Sequence, residues 1–370
     1  MNPRTLTLLA VGFLIAAAGW AIMRRHAATV GPVRPVADPT PTAHVTMHDP
    51  RRPRLPAPRL ARTPGPAESA PEAAAANPIA KLLNGEAFKL TPEQAEVYLQ
   101  QNKRSAEALL AAARTTGNLG LVREAAERFP NDARVHLDLA LRGETPEEKR
   151  KALDAFRQLA RDNPIGDYLS ALDHFRSGRT DDGVKDLLQA SSKNRLQDYT
   201  LDHAQSAEEA FLSAGYGPLE AKAAGTSGVL LPHMTSLRDL ATHMAELQKQ
   251  YAQAGDAGSA QAVGQMGLNL AWQLEGQPGR TLLGELVGLA IEKKFLAAKS
   301  PDSLFGSDER TVRERMAEMD AHRQSIRELT AMTDLLARLP EREAILYFDR
   351  LKLNGELDAL RWLKNKHGSP

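Results

Sequence analysis

Two spacings in this chain put possible metal ligands on one helical face: His243 with Glu246, three residues apart, and Glu318 with His322, four apart. Side chains three or four apart are neighbours on an α-helix, so each pair could offer an imidazole and a carboxylate to one cation. Neither has a third ligand close in sequence, and a structural site needs about four. Both therefore read as solvated or capping pairs. The acidic pairs Glu147-Glu148, Asp181-Asp182 and Glu208-Glu209 lie near expected helix starts or on helical faces, where the helix dipole explains them without acid–base chemistry. The Gly-rich stretch AGDAGSAQAVGQMG, residues 254 to 267, lacks the preceding strand of a phosphate-binding loop and reads as a joint between helices. No GxSxG, GxxxxGK, GxGxxG or HExxH motif occurs. The sequence gives no reason to expect a cofactor, a metal or an enzyme, although a catalytic Glu on a helical scaffold would carry no motif.

These residues must be positioned by helices. Of 370 residues, 42% are apolar and only 5% aromatic, and Ala is abundant, which favours thin, closely packed helices over sheets rich in β-branched and aromatic side chains. The chain has no cysteine, which excludes disulfides, thiolate metal sites and cysteine nucleophiles. A net charge of +1 hides an asymmetry: residues 24 to 64 hold eight Arg and two Asp, while residues 65 to 370 carry an excess of acid.

Residues 6 to 23, LTLLAVGFLIAAAGWAIM, are uncharged and just long enough to span hydrocarbon as a helix, with Trp20, Arg24 and Arg25 suited to the interface. The rival reading is a cleaved signal peptide ending near Ala16-Ala17-Ala18. Apolar character continues through Ile22 and Met23, which favours an uncleaved anchor. Residues 32 to 78 hold twelve of the 23 prolines and no apolar periodicity, as expected of a disordered, semi-rigid spacer. Arg51, Arg52, Arg54 and Arg59 within it could meet anionic lipid. Nucleic acid is the least expected partner, because no aromatic side chains are interleaved for base stacking.

From Asn77 the chain alternates apolar-periodic runs with short breaks. Thr91-Pro92-Glu93, Asp132 and Thr145-Pro146-Glu147 mark helix starts, and Gly117-Asn118, Gly143 and Ser177-Gly178-Arg179 mark breaks. Pro130 and Pro164, each read as the stop of the helix before it, stand 34 residues apart, as do Val122 and Phe156, and Ala126 and Ala160. With Ala152, Phe156 and Pro164 at its small, aromatic and Pro positions, this period resembles the tetratricopeptide repeat. A later hairpin, residues 240 to 272, with Tyr251, the turn Ala254-Gly255-Asp256 and Ala260, resembles it again. Residues 214 to 232 read as a Gly-rich excursion between hairpins, and residues 279 to 298 as a buried core helix whose Gly284 and Gly288 admit a close neighbour. Beyond Ser300-Pro301 the pattern predicts one long charged amphipathic helix, roughly 308 to 338, and two shorter ones broken at Leu339-Pro340 and Asn354-Gly355.

The expected fold class is all-α: a right-handed α-solenoid of helical hairpins preceded by a transmembrane helix and a Pro-rich linker. The expected divisions are an anchor (1 to 23), a linker (24 to 78), a repeat domain (79 to 298) and a C-terminal helical cap (299 to 370). The resemblance implies a concave groove lined by the first helix of each pair, with Arg134, Asp138, Tyr168 and Arg176 as candidate contacts for a protein or peptide partner. Anchor, stalk and repeat together suggest an inner-membrane protein of a bacterial envelope with its globular part in the periplasm. The alternatives are an envelope enzyme acting on a glycan or peptide, and a purely structural tether.

Overall fold

Helix starts and stops follow the capping chemistry of the sequence. The computed structural model of the protein describes residues 78–83, 88–228, 231–276, 281–305 and 310–368. The expected anchor at residues 6 to 23 and the linker up to residue 77 lie outside the described residues. Pro78, assigned above to the linker, opens α1 (Pro78–Leu83). Thr91 caps α2 (Pro92–Gln101), and its hydroxyl and the Gln94 side chain satisfy each other's backbone amides in a capping box. Ser105, Asn118, Asp132 and Thr145 cap α3 (Ala106–Thr116), α4 (Leu119–Arg128), α5 (Ala133–Arg142) and α6 (Pro146–Leu159). α6 ends at Leu159, before the expected stop, and Pro164 instead forms the N-cap of α7 (Ile165–Arg176). Thr180 then opens α8 (Thr180–Ser191).

α3 pairs with α4, α5 with α6 and α7 with α8, and each pair abuts the next through α4 with α5 and α6 with α7. The 34-residue period has a physical counterpart. Val122 and Phe156 are both fully buried. Their neighbours Arg123 and Arg157 both reach forward to the following hairpin. Arg123 pairs with Glu148 on α6 at 2.6 Å, and Arg157 pairs with Asp167 on α7 at 2.9 Å and Asp186 on α8 at 2.5 Å.

The second half of the chain packs across the first. α9 (Thr200–Ser213) lies on α3 and α2, α11 (Pro232–Gln253) lies on α7, and α12 (Ala257–Glu275) touches α8. This is why α3 is a run of Ala and Leu: Ala108, Leu109, Leu110, Ala111, Ala112 and Ala113 are all buried, on every side of the helix. The expected Gly-rich excursion is a correction. Residues 218 to 227 form α10 (Pro218–Ser227), in close contact with α9. A Cβ on Gly225 would stand 2.8 Å from the Glu208 amide nitrogen and 2.9 Å from the Ala204 carbonyl oxygen, so glycine marks a helix crossing here.

α13 (Leu282–Leu296) is the buried helix expected at 279 to 298, and a Cβ on Gly288 would meet the Ala271 carbonyl of α12 at 3.1 Å. Among the described residues no helix is long and apolar enough to cross a membrane. The single long helix expected at 308 to 338 is divided: Leu304 and Thr311 form an isolated antiparallel bridge, α14 spans Val312–Thr330, and Ala331–Arg338 is a 3-10 helix. α15 (Glu341–Asn354) and α16 (Glu356–His367) complete the described chain, with breaks at Pro340 and Gly355 as expected. These last helices share one core with α1, α10 and α13, through Ile79, Leu82, Leu219, Leu286, Tyr347, Phe348 and Leu360. The described residues are all-α, a stack of helical hairpins with a second layer laid over it.

Candidate functional site

Where α5, α6 and α7 meet the first turn of α11, the packing leaves a cleft of about 300 Å³. Its floor is Ala140 and Leu141 from the end of α5, Leu153 from α6, and Leu169 and Leu172 from α7; Pro232 and Ser236 of α11 close one side. The cleft exists because α11 begins at Pro232 and reaches α7 only beyond it, leaving the start of α6 uncovered. Its rim is charged. Arg150 bridges to Asp173 at 2.9 Å, Glu144 accepts from Arg123 at 2.7 Å, and Arg176 reaches Asp239 of α11 at 3.0 Å. Lys149 stands on the same rim with no ion pair among the described residues. A wider concavity along α6 continues from it through the shared Pro146, Arg150 and Asp173. The floor can bury one aliphatic or aromatic side chain, worth about 1.5–3 kcal/mol, while the rim offers both signs of charge to a flanking backbone or charged residue.

The four groove residues have different fates. Arg176 is on the cleft rim. Arg134 and Asp138, one turn apart on α5, both lie outside the cleft, Arg134 on a separate surface hollow beside Phe129 and Tyr199 and Asp138 in a buried polar network. Arg134 holds its own helix cap, Asp132, at 2.8 Å. Asp138 is buried and accepts from Arg114 at 2.7 Å and Arg142 at 3.2 Å. Arg114 also lies 2.8 Å from His203 Nε2 on α9. A guanidinium only donates, so Nε2 must be the lone-pair nitrogen and the ring neutral. Burial and the adjacent Arg114 charge hold the His203 imidazole well below its ordinary range, in agreement. Tyr168 is fully buried among Phe156, Leu237 and Leu240, and touches no solvent. The groove that the resemblance implied is occupied at α3 and α7 by the chain's own α9 and α11.

The residues with metal-like spacing are otherwise engaged. His243 is exposed and stacks on Phe175, with ring centroids 6.2 Å apart. His322 meets Glu285 of α13 at 2.8 Å, while Glu318 pairs with Arg310 at 2.7 Å. Among the described residues no group of three or more His, Asp or Glu is placed to hold a metal ion. Glu208 is a buried staple, accepting from Lys222 of α10 at 3.0 Å and Lys352 of α15 at 2.6 Å.

One cluster escaped the sequence reading. Glu292 of α13 is fully buried, accepting from Trp272 Nε1 of α12 at 3.2 Å and Arg315 of α14 at 3.0 Å. Glu275 of α12 lies beside it, and burial, then the Glu292 charge, push its carboxyl up to about 8. No local motif could have revealed the cluster, because Glu275, Glu292 and Arg315 come from three helices and the only signal is acid on otherwise apolar faces.

The described residues form an all-α protein whose helix packing is consistent with a helical repeat, with an apolar, charge-rimmed cleft between hairpins. Searches against protein families, curated proteins and solved structures return no match to the chain.

Proposed function

We propose that this chain is a tetratricopeptide-like scaffold, tethered by residues 6 to 23, that holds a protein or peptide partner in the cleft between α5, α6, α7 and α11. The observation carrying this reading is the cleft itself: an apolar floor inside a charged rim, at a hairpin junction the second layer leaves open. The 34-residue recurrence of buried Val122 and Phe156, each followed by a forward-reaching arginine, supports the repeat. The N-terminal apolar stretch and Pro-rich spacer suit display of the body from a bacterial inner membrane, with the periplasmic side preferred. A reporter fused after residue 370 and active on only one side of the membrane tests that orientation.

For the binding role, tagged full-length chain is compared with the Leu169→Arg variant in affinity isolation from native membranes. The scaffold reading expects a specific partner recovered by the natural chain and lost from the variant. Equal recovery by both, or turnover of a glycan or peptide with no partner, would remove it.

The enzyme alternative has one observation in its favour, the desolvated Glu275–Glu292 pair. Neither carboxyl lines the cleft between α5, α6, α7 and α11 or the concavity along α6; Glu292 meets Trp272 and Arg315 inside the helix packing, and Glu275 lies beside Arg315. Replacing Glu275 by Gln should therefore leave partner recovery unchanged.

A further inference from the structure

We propose that the concave surface around Trp362, on the outer side of α15 and α16, docks an acidic peptide segment bearing a large apolar side chain. This site is separate from the cleft, and its existence does not depend on the function proposed for that cleft.

The surface is a hollow of about 540 Å³ lined by Arg350, Asp358, Arg361, Trp362, Asn365 and Lys366. Trp362 is half-buried, with the Arg350 guanidinium 5.2 Å and the Lys366 ammonium 5.3 Å from its ring centroid. A guanidinium held over a ring face by cation–π attraction can still donate to a carboxylate through its N–H groups, and Arg350 sits over Trp362 in this way. Lys366 is already paired with Glu343 at 2.5 Å. Neither Arg350 nor Arg361 has an ion pair among the described residues, and Asp358 is the only carboxylate lining the hollow. The two unpaired guanidiniums therefore outnumber the one lining carboxylate, and the hollow is net positive.

Apolar surface continues from it along α15. Leu346 and Leu353, four residues before and three after Arg350, are 40% and 79% exposed, and Leu353 is the most exposed large apolar side chain among the described residues. They lie roughly 10 Å apart along the helix, the reach of three extended residues. One exposed Leu means little. Two flanking an unpaired arginine beside a half-buried tryptophan match an acidic segment with an apolar anchor, since aromatic and arginine side chains dominate docking energy. Charge complementarity selects the acid, and the hollow and the two leucines select the apolar group. A peptide fits better than a lipid surface: Asp358 can accept a peptide N–H, whereas against a layer of phosphates it would be repelled.

The test uses the full-length chain on an array of 12-residue peptides in which Glu or Asp flanks Leu or Phe, beside counterparts with Gln or Asn for the acids. The acidic peptides should bind and their Gln or Asn counterparts should not, with affinity falling on going to high salt. The double substitution Arg350→Gln with Arg361→Gln should weaken binding at least tenfold, and Arg361→Gln alone, at an exposed position, should weaken it severalfold with the melting temperature unchanged. Equal binding of the neutral peptides, or no effect of either variant, would overturn the proposal. So would binding only to phosphatidylserine vesicles, or an arginine-dependent self-association seen by sedimentation. Leu169→Arg in the cleft should leave this binding intact, which separates its failure from failure of the cleft reading.

Discussion

Arg157 and Arg123 hold equivalent places one repeat apart, yet the surroundings give them different weight. Arg157 compensates Asp167, which is only 2% exposed, and buried Asp186. Removing it in Arg157→Ala leaves both carboxylates buried with less compensation and should cost about 3 kcal/mol or more in urea unfolding. Arg123→Ala, at the solvent-facing equivalent, should cost far less. Glu356 supplies a pH-dependent counterpart. It caps α13, accepting from the Leu282 amide at 2.9 Å, and burial pushes its carboxyl from 4.5 up to about 7. The folded state thus keeps a proton the unfolded chain releases, so this contribution is full below about pH 4.5 and lost as pH rises through about 7. Glu356→Gln should flatten the fall in melting temperature between pH 5 and 8, because a neutral amide oxygen still accepts from Leu282. His203 acts in the opposite sense: its depressed imidazole contributes stability at neutral pH that is lost as pH falls below about 6.5. An unaltered pH profile in Glu356→Gln would show that its proton is not linked to folding.

At the scale of elements, Gly225→Ala should destabilise by about 1–3 kcal/mol in thermal unfolding, since the new methyl meets α9 backbone that cannot rotate away. An unchanged melting temperature would mean that α10 can withdraw from α9 without loss. The same glycine shows what was legible in the sequence and what was not. Thr91, Asp132, Thr145 and Gly355 act locally, through caps and breaks, and the helices they delimit were readable. Gly225 acts through a helix far outside its own segment, so its loop-like composition concealed α10. Leu159 and Pro164 show the same limit on a smaller scale. Proline says where a helix cannot continue, but it also fits the first turn of the next, and here it opens α7. The candidate site was legible only in part. Arg176 reached the cleft rim, whereas Tyr168 was lost to the core because nothing in its own repeat announces that α11 will cover it. Leu141 and Leu169 stay partly exposed on the cleft floor because α11 covers α7 incompletely, and nothing in their own helices announces it.

At the scale of the whole molecule, a stack of hairpins covered by its own later helices should not open like a simple repeat array. α3 and α7, enclosed by α9 and α11, should show the slowest amide hydrogen exchange, while α15, with Leu346 and Leu353 facing solvent, should exchange sooner. Equal protection along the chain would argue against two layers. The central claim, that the uncovered cleft takes a partner, is tested most directly by site-specific photocrosslinking of the full-length chain in intact cells. A photoreactive residue at Leu169, on the cleft floor, is compared with one at Leu188 on α8, which is 56% exposed but outside the cleft. The account predicts a discrete adduct from position 169 and none of the same mass from position 188; no adduct, or the same adducts from both, would contradict it.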